Sequence, residues 1–182
     1  SPEACLPPDT LAVARRLEHF VVERAKTARA HLKAMGHPLP IQALNIEELN
    51  EHTPAAVIPA LLAPLKAGHD LGLLSEAGCP AVADPGAALV MAAHRESIPV
   101  VPLIGPSSIL LALMASGLGG QRFAFHGYLP AKEPERSQAI RDLEKTARRD
   151  RATQLFIETP YRSAALLDAL ATTLSPDTFI SI

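Results

Sequence analysis

Residues 73–86 read LLSEAGCPAVADPG, a stiff and polar bend in an otherwise aliphatic chain. An apolar run that predicts a buried strand leads into the bend, and a helical pattern follows it. Asp84, Pro85 and Gly86 favour a helix start, because aspartate caps helices and proline fits their first turn. Ligands of open parallel sheets bind at loops that follow the carboxyl ends of strands, so this bend is a candidate binding loop.

The same alternation of short apolar runs and helical patterns continues on both sides of the bend. It predicts strands over 19–23, 40–46, 69–75, 98–104, 122–128, 152–158 and 177–182. It predicts helices over 7–17, 25–36, 53–68, 85–97, 107–117, 134–150 and 159–174. Alternating strands and helices indicate an α/β fold with parallel sheets. A change of rhythm after Gly120 predicts two α/β domains, 1–120 and 121–182, of which the second is incomplete.

Three details of these helices are further expectations. Asp9 or Thr10 is expected to cap the first helix, and Thr53 the helix over 53–68. Pro59 and Pro64 fall inside that predicted helix, where each should cost about 3 kcal/mol or cause a kink. The very apolar helix over 107–117 is expected to lie between two layers.

The composition limits the function. The chain has 182 residues, 48% of them hydrophobic, a net charge of −2 and no tryptophan. No general basic field indicates a nucleic-acid partner, so any polyanion site must be a local patch. Cys5 and Cys79 have neither metal-ligand spacing nor a disulfide pattern, which favours a reducing, cytoplasmic location. No signal peptide is expected, and no apolar stretch reaches the roughly 20 residues of a membrane span.

Three more predicted strand-to-helix loops carry polar residues. Glu23 ends a strand before Lys26, Ser107 and Ser108 begin a helix, and Glu158 ends a strand before Arg162. Neighbouring loops at one sheet edge would form a single cleft. The simpler interpretation stays open at each place: a cap for Asp84 and Ser107, a turn for Gly78 and Pro80, and solvated side chains for the basic residues.

Other patterns are weaker. Arg141, Lys145 and Arg148 share one helix face, which could grip phosphates or be a solvated surface. No zinc motif, phosphate-binding loop or dinucleotide fingerprint is present. Cys79 has no partner pattern for a nucleophile, and we interpret it as a packing residue.

The loops occur in the order of a known family. The chain resembles the tetrapyrrole-methylase superfamily of S-adenosylmethionine-dependent methyltransferases, nearest the branch that methylates a ribose 2′-hydroxyl of small-subunit ribosomal RNA. The resemblance implies two α/β domains with a cofactor cleft between them, and a homodimer. The motifs that carry it are VVERAKTAR, LNEHT, LLSEAGCPAVADPG, VVPLIGPSS, RFAFHGYLPAK and FIETPYR. The cofactor contacts that it implies are Gly78, Cys79, Pro80, Val82, Ala83, Ser107, Ser108 and Glu158.

The chain departs from the family pattern, which favours a divergent paralogue. Cys79 replaces a threonine, Glu76 an aspartate, Ala83 a serine, Ile104 a proline and Lys26 an arginine. The family's first strand and its Pro-Gly loop are expected before Ser1, and its last strands after Ile182.

The expected reaction is methyl transfer from the sulfonium of S-adenosylmethionine to an RNA ribose hydroxyl. Glu158, Glu23 and His126 are candidate bases. Arg162, Lys26 and Arg141 are expected to orient the phosphate backbone. Two alternatives remain: a methyltransferase of a tetrapyrrole or other small molecule, and a non-catalytic member that binds RNA or protein. No metal is expected.

Overall fold

A computed structural model describes residues 1–182 and confirms the α/β class. The chain divides into two compact units, Ser1–Ser107 and Ser108–Ile182. The sequence places this junction later, after Gly120, and the assignment of functional domains remains a prediction.

The first unit contains a three-stranded parallel sheet with strand order β2-β1-β3. Since the strands are parallel, Val22, Glu48 and Leu74 end them at the same edge of the sheet. The elements of this unit are α1 (Pro2–Cys5), α2 (Pro8–Arg16), β1 (His19–Val22), α3 (Ala25–Ala34), β2 (Asn45–Glu48), α4 (Ile58–Leu61), α5 (Ala63–Lys66), β3 (Leu71–Leu74) and α6 (Gly86–Arg95).

The central strand β1 is buried on both faces, as expected for a parallel sheet covered by helices. Phe20 and Val22 pack into one core cluster with Leu32 of α3. Val21 points to the opposite cluster, which includes Leu89 of α6. The central strand therefore lies between two helical layers.

The predicted single helix over 53–68 is wrong. The structure has a 3-10 turn at Ala55–Val57 followed by α4 and α5, each four residues long. Pro59 and Pro64 stand in the first two positions of α4 and α5, where a missing N–H leaves no intrahelical bond unmade. The two prolines thus start helices instead of interrupting one.

The predicted cap at the start of the chain is also wrong. Pro7 precedes α2, so Asp9 and Thr10 lie inside its first turn. The Thr10 hydroxyl donates a hydrogen bond to the Ile104 carbonyl oxygen at 2.8 Å instead.

Two predicted strands do not form. Residues 98–104 and 177–182 have no strand partner. Pro99 and Pro102 explain the first case, because a proline cannot donate to a sheet ladder. The terminal Ile182 is 95% exposed and has no neighbouring strand to pair with.

The second unit contains a two-stranded parallel sheet formed by β4 and β5. Its core is formed by Leu129, Ile140, Leu166, Ala169 and Leu170. The elements of this unit are α7 (Ser108–Ser116), β4 (Phe123–Tyr128), α8 (Glu135–Asp150), β5 (Thr153–Ile157) and α9 (Ser163–Thr173), with a 3-10 turn at Pro160–Arg162.

The apolar helix α7 is not enclosed, contrary to expectation. Leu113 is its one buried residue, whereas Leu110, Leu111 and Met114 are exposed. A helix that is apolar all round needs cover on every face, and here the chain covers one side. No helix is both long and apolar enough to cross a bilayer.

Candidate functional site

The loop between β3 and α6, residues 75–85, has an unusual backbone. Gly78, Ala81 and Ala83 take left-handed conformations, with φ of +69°, +65° and +53°. Glycine adopts this region freely, whereas an alanine is strained there. Strained backbone tends to occur at functional sites, and it persists only where surrounding contacts enforce it.

Asp84 supplies those contacts. Its Oδ1 accepts hydrogen bonds from the amides of Ala81 at 3.0 Å and Gly86 at 2.7 Å. Gly86 is the first residue of α6, and its amide bonds Asp84, but Pro85 occupies the cap position in place of the predicted Asp84. A Cβ on Gly86 would lie 2.6 Å from Asp84 Oδ1 and 2.8 Å from Leu73 Cδ2. The close approach of loop, strand and helix therefore requires glycine at this position.

The same loop leaves backbone donors open. The amides of Gly78, Cys79 and Ala83 donate no hydrogen bond within the protein. Space around Gly78 is free, since a Cβ there would meet nothing within 4 Å. Pro80 and Val82 are exposed. A ligand with polar groups can thus approach the backbone closely, which is what binding of S-adenosylmethionine at this loop would need.

Residues from two other loops reach the bend. Glu23, which follows β1, accepts a hydrogen bond at 3.3 Å from the Glu76 amide through Oε2. Arg24 Nε lies 3.7 Å from Glu76 Oε1. Cys79 Sγ lies 3.6 Å from the Pro106 carbonyl oxygen, directly before Ser107. The loops after β1 and β3 therefore meet at one sheet edge, as predicted, and Pro106 also reaches the bend although residues 98–104 form no strand. The sequence did not predict the contacts of Arg24 and Glu76.

Ser107 lies directly before a helix, and Lys26 lies in the first turn of one. Ser107 ends the first unit, and Ser108, the first residue of the second unit, begins α7. Lys26 lies exposed in the first turn of α3 and forms no ion pair. The amide at the start of that helix, on Ala25, instead donates to Glu48 Oε1 at 2.6 Å.

In the second unit, Glu158 and Arg162 form an ion pair where β5 ends. Glu158 Oε1 lies 2.8 Å from Arg162 Nε and 2.6 Å from Arg162 Nη2, and it accepts from the Thr159 amide at 2.7 Å. Burial raises the pKa of the Glu158 carboxyl, but the Thr159 amide and the Arg162 guanidinium outweigh it, so the net pKa is lowered. A carboxylate with a lowered pKa accepts protons weakly at neutral pH, so the geometry favours holding Arg162 over acting as a base.

Two aromatic rings missed by sequence reasoning flank this pair. Arg162 Cζ lies 5.7 Å from the centroid of the Tyr128 ring and 5.9 Å from that of the Tyr161 ring. Tyr161 could have been found from its position next to Arg162 in FIETPYR. Tyr128 could not, because its proximity depends on the pairing of β4 with β5.

The remaining candidates are scattered over the second unit. His126 Nε2 lies 2.7 Å from Gln154 Oε1 on the neighbouring strand. Arg141 donates to Gln138 at 3.2 Å, and it lines an open depression of about 470 Å³ whose rim also carries Asp142 and Glu135. These acids oppose the binding of a phosphate there. No group of three His, Cys, Asp or Glu side chains is arranged to hold a metal ion.

The basic stripe on α8 is not available as a whole. Arg148 is bound to Asp177 at 2.7 Å and to Glu144 at 3.3 Å. Glu144 also accepts from the Ser175 amide at 3.0 Å and from the Thr178 hydroxyl. Arg148 therefore fastens residues 175–178 to α8 instead of facing solvent freely.

Comparisons with known proteins agree with the motif order. A protein named ribosomal RNA small subunit methyltransferase I from Xylella fastidiosa is 37% identical over 167 residues, which are 92% of this chain and 58% of the relative. Its namesake from Halalkalibacterium halodurans is 36% identical over 126 residues, 69% of this chain and 42% of the relative. The chain thus spans about half the length of these relatives.

The fold comparison points the same way. The crystal structure of the methyltransferase CobJ matches 97% of this chain and 73% of its own, with a TM-score of 0.61 at 19% identity. At that identity the likeness concerns the fold alone. The family model of the tetrapyrrole (corrin/porphyrin) methylases matches residues 8–181. Because this match covers nearly the whole chain, the protein belongs to the tetrapyrrole (corrin/porphyrin) methylase family.

Proposed function

We propose that the protein is an S-adenosylmethionine-dependent methyltransferase whose acceptor is a ribose 2′-hydroxyl of small-subunit ribosomal RNA. The name of the relatives supports RNA as the substrate over a tetrapyrrole and over a non-catalytic role. The observation that carries the proposal is the strained, open loop over 75–85, whose backbone amides are free to meet a ligand.

In this proposal the loop holds the cofactor. Gly78, Cys79 and Ala83 offer their amides, while Pro80 and Val82 cover the ligand from the side. Ser107, Ser108 and Glu158 complete the contacts that the family resemblance implies. When bound, S-adenosylmethionine supplies a methyl group on a sulfonium, which is already a good leaving group.

The protein's main contribution is alignment of the two reactants. Positioning alone can lower a barrier by about 7–11 kcal/mol. Proton removal from the hydroxyl can add about 10²–10⁴-fold. Glu23 is the better placed of the two carboxylate candidates, because it reaches the loop through Glu76 and has a second oxygen without a protein donor. Glu158 is engaged by Arg162 and acts in our proposal by positioning.

Arg162, Lys26 and Arg141 are the proposed substrate contacts. Lys26 is exposed and can meet a phosphate without breaking an ion pair. Arg141 is exposed as well, but the neighbouring Asp142 and Glu135 weaken a phosphate contact there. We also propose a cytoplasmic location and a homodimer. The exposed apolar side chains of α7 support the dimer, because such surface is usually covered by a partner.

Calorimetric titration with S-adenosylmethionine and S-adenosylhomocysteine tests the cofactor site. Gly78→Trp is expected to abolish micromolar binding, because the indole would fill the space around the loop. Gly68→Trp is the matched control: Gly68 also has a positive φ, of +87°, and open surroundings, but it precedes β3 at the opposite sheet edge. Equal binding by both variants would place the cofactor elsewhere, and no binding by the unaltered protein would refute the enzyme.

A further inference from the structure

We propose that Tyr128, Arg162 and Tyr161 form a stacking platform for an unpaired base of the RNA substrate. This inference rests on the proposed function and assigns base contact, in place of phosphate contact, to Arg162. The chain has two tyrosines, and both flank this one guanidinium.

The rings are available for stacking. Tyr161 is 83% exposed and Tyr128 is 56% exposed. Arg162 Cζ lies over one face of each ring, so the opposite face of Tyr161 is left almost entirely to solvent. A base stacked there would remove two apolar faces from water at once, and every base has a suitable face.

The ion pair with Glu158 directs Arg162 toward stacking. Nε and Nη2 of the guanidinium both point to Glu158 Oε1, at 2.8 Å and 2.6 Å. Its charge is therefore compensated inside the unit, and its Nε–Nη2 edge is no longer free to bind a phosphate in bidentate fashion. The planar group is held still beside two rings, as in proteins that bind unpaired RNA bases on aromatic and arginine planes.

A protein partner fits the surface less well. Tyrosine and arginine are frequent in protein interfaces, but there they sit in pockets surrounded by contacts that exclude water. Tyr161 instead protrudes into solvent from the 3-10 turn at Pro160–Arg162. An open aromatic face without a surrounding rim is better suited to a flat base.

Fluorescence anisotropy with a labelled, unstructured single-stranded RNA tests the platform at constant ionic strength. Tyr161→Leu is expected to weaken binding about 5- to 150-fold, the range for loss of one base–aromatic stack. Tyr161→Phe should bind like the unaltered protein, because it keeps the ring. Phe179→Leu, which removes another exposed ring of the same unit, should also leave affinity unchanged. The same RNA in a perfect duplex should show no difference between the variants.

Intrinsic fluorescence gives a second readout. The chain lacks tryptophan, so tyrosine emission reports on Tyr128 and Tyr161 alone, and stacking of a base should quench it. Unchanged RNA affinity in Tyr161→Leu, with normal cofactor binding, would overturn the platform and leave the proposed function standing. Failure of the unaltered protein to bind RNA at all would overturn both. Loss of self-association in Tyr161→Leu, with RNA affinity retained, would show a protein interface and also overturn the platform.

Discussion

Several carboxylates of this chain work as acceptors that fix a neighbouring segment. Asp84 holds the loop over 75–85, Glu23 accepts from the amide of Glu76, and Glu48 accepts at the start of α3. Glu158 holds Arg162 in the same way. At the residue scale, acids next to the predicted ligand loops shape those loops, and this explains why acids in such motifs are poor guides to a catalytic base.

Glu158→Gln tests whether Glu158 acts by positioning Arg162. The variant loses an ion pair whose carboxylate is 7% exposed, so we expect the free energy of unfolding to fall by about 1–3 kcal/mol. RNA affinity should fall as well, because Arg162 is released. Urea denaturation measures the change in stability, and fluorescence anisotropy with single-stranded RNA measures the change in affinity. Asp168→Asn, an exposed acid without an ion pair on α9, should change stability by less than about 0.5 kcal/mol. An equal loss of stability in the two variants would contradict the positioning of Arg162 by Glu158.

Sequence reasoning at this scale succeeded where the contacts are local. Asp84, predicted to act at the start of α6, bonds the amide of Gly86 two residues further on. Tyr128 joins Arg162 through strand pairing, over a separation that no local pattern encodes. Glu158 and Arg162 were predicted as separate contacts of cofactor and substrate. Their ion pair was not predicted, because burial and ion pairing are properties of the folded chain.

At the scale of elements, four of the five strands that form lie within predicted strands. The prediction over 40–46 was largely wrong, because Ile41–Ala43 form a 3-10 turn and β2 covers Asn45–Glu48. The other errors involve proline residues and the exposure of α7. Pro99 and Pro102 lie in an apolar run that matches a strand but cannot complete a ladder. Pro59 and Pro64 divide a helical pattern into two short helices. Hydrophobic periodicity shows where apolar residues recur. The missing N–H of proline decides whether the backbone can form the helix or strand that this pattern predicts.

The start of α6 offers a test at this scale. Gly86→Ala should lower the free energy of unfolding by about 1–3 kcal/mol, since its Cβ would press on Asp84 and Leu73 within 3 Å. Gly105→Ala is the matched control in the same unit, because its Cβ would meet Leu6 at an ordinary 3.7 Å. Thermal and urea unfolding compare the two. If both alanines cost the same, the crowding at Gly86 is not what fixes the loop.

At the scale of the whole molecule, each unit has its own sheet and its own core. In the second unit, ion pairs hold the segment after α9 against α8: Arg148 pairs with Asp177 and with Glu144. Bonds to the Thr178 hydroxyl and the Ser175 amide hold the pKa of Glu144 at about 2. The Arg148 guanidinium likewise lowers the pKa of Asp177.

The contacts of Glu144 predict that the free energy of unfolding falls at acidic pH. A carboxyl with a lowered pKa in the folded state stabilises the protein above its ordinary pKa of 4.5, and this contribution is lost as pH falls toward about 2. Glu144→Gln should be less stable than the unaltered protein at about pH 7, and the difference should shrink near pH 3. Urea unfolding at both pH values measures it. Glu135→Gln, an exposed acid on the same helix, should show no such narrowing; a constant difference for Glu144→Gln would contradict the linkage.

The loop between β3 and α6 keeps its shape through Asp84, before any ligand arrives. Each left-handed alanine costs about 1–2 kcal/mol, and folding meets this cost in advance. In the proposed function, the cofactor therefore meets a loop that Asp84 already holds in shape. We then expect association in one step at a rate proportional to ligand concentration, with differences in affinity among ligands set by how long each one stays bound.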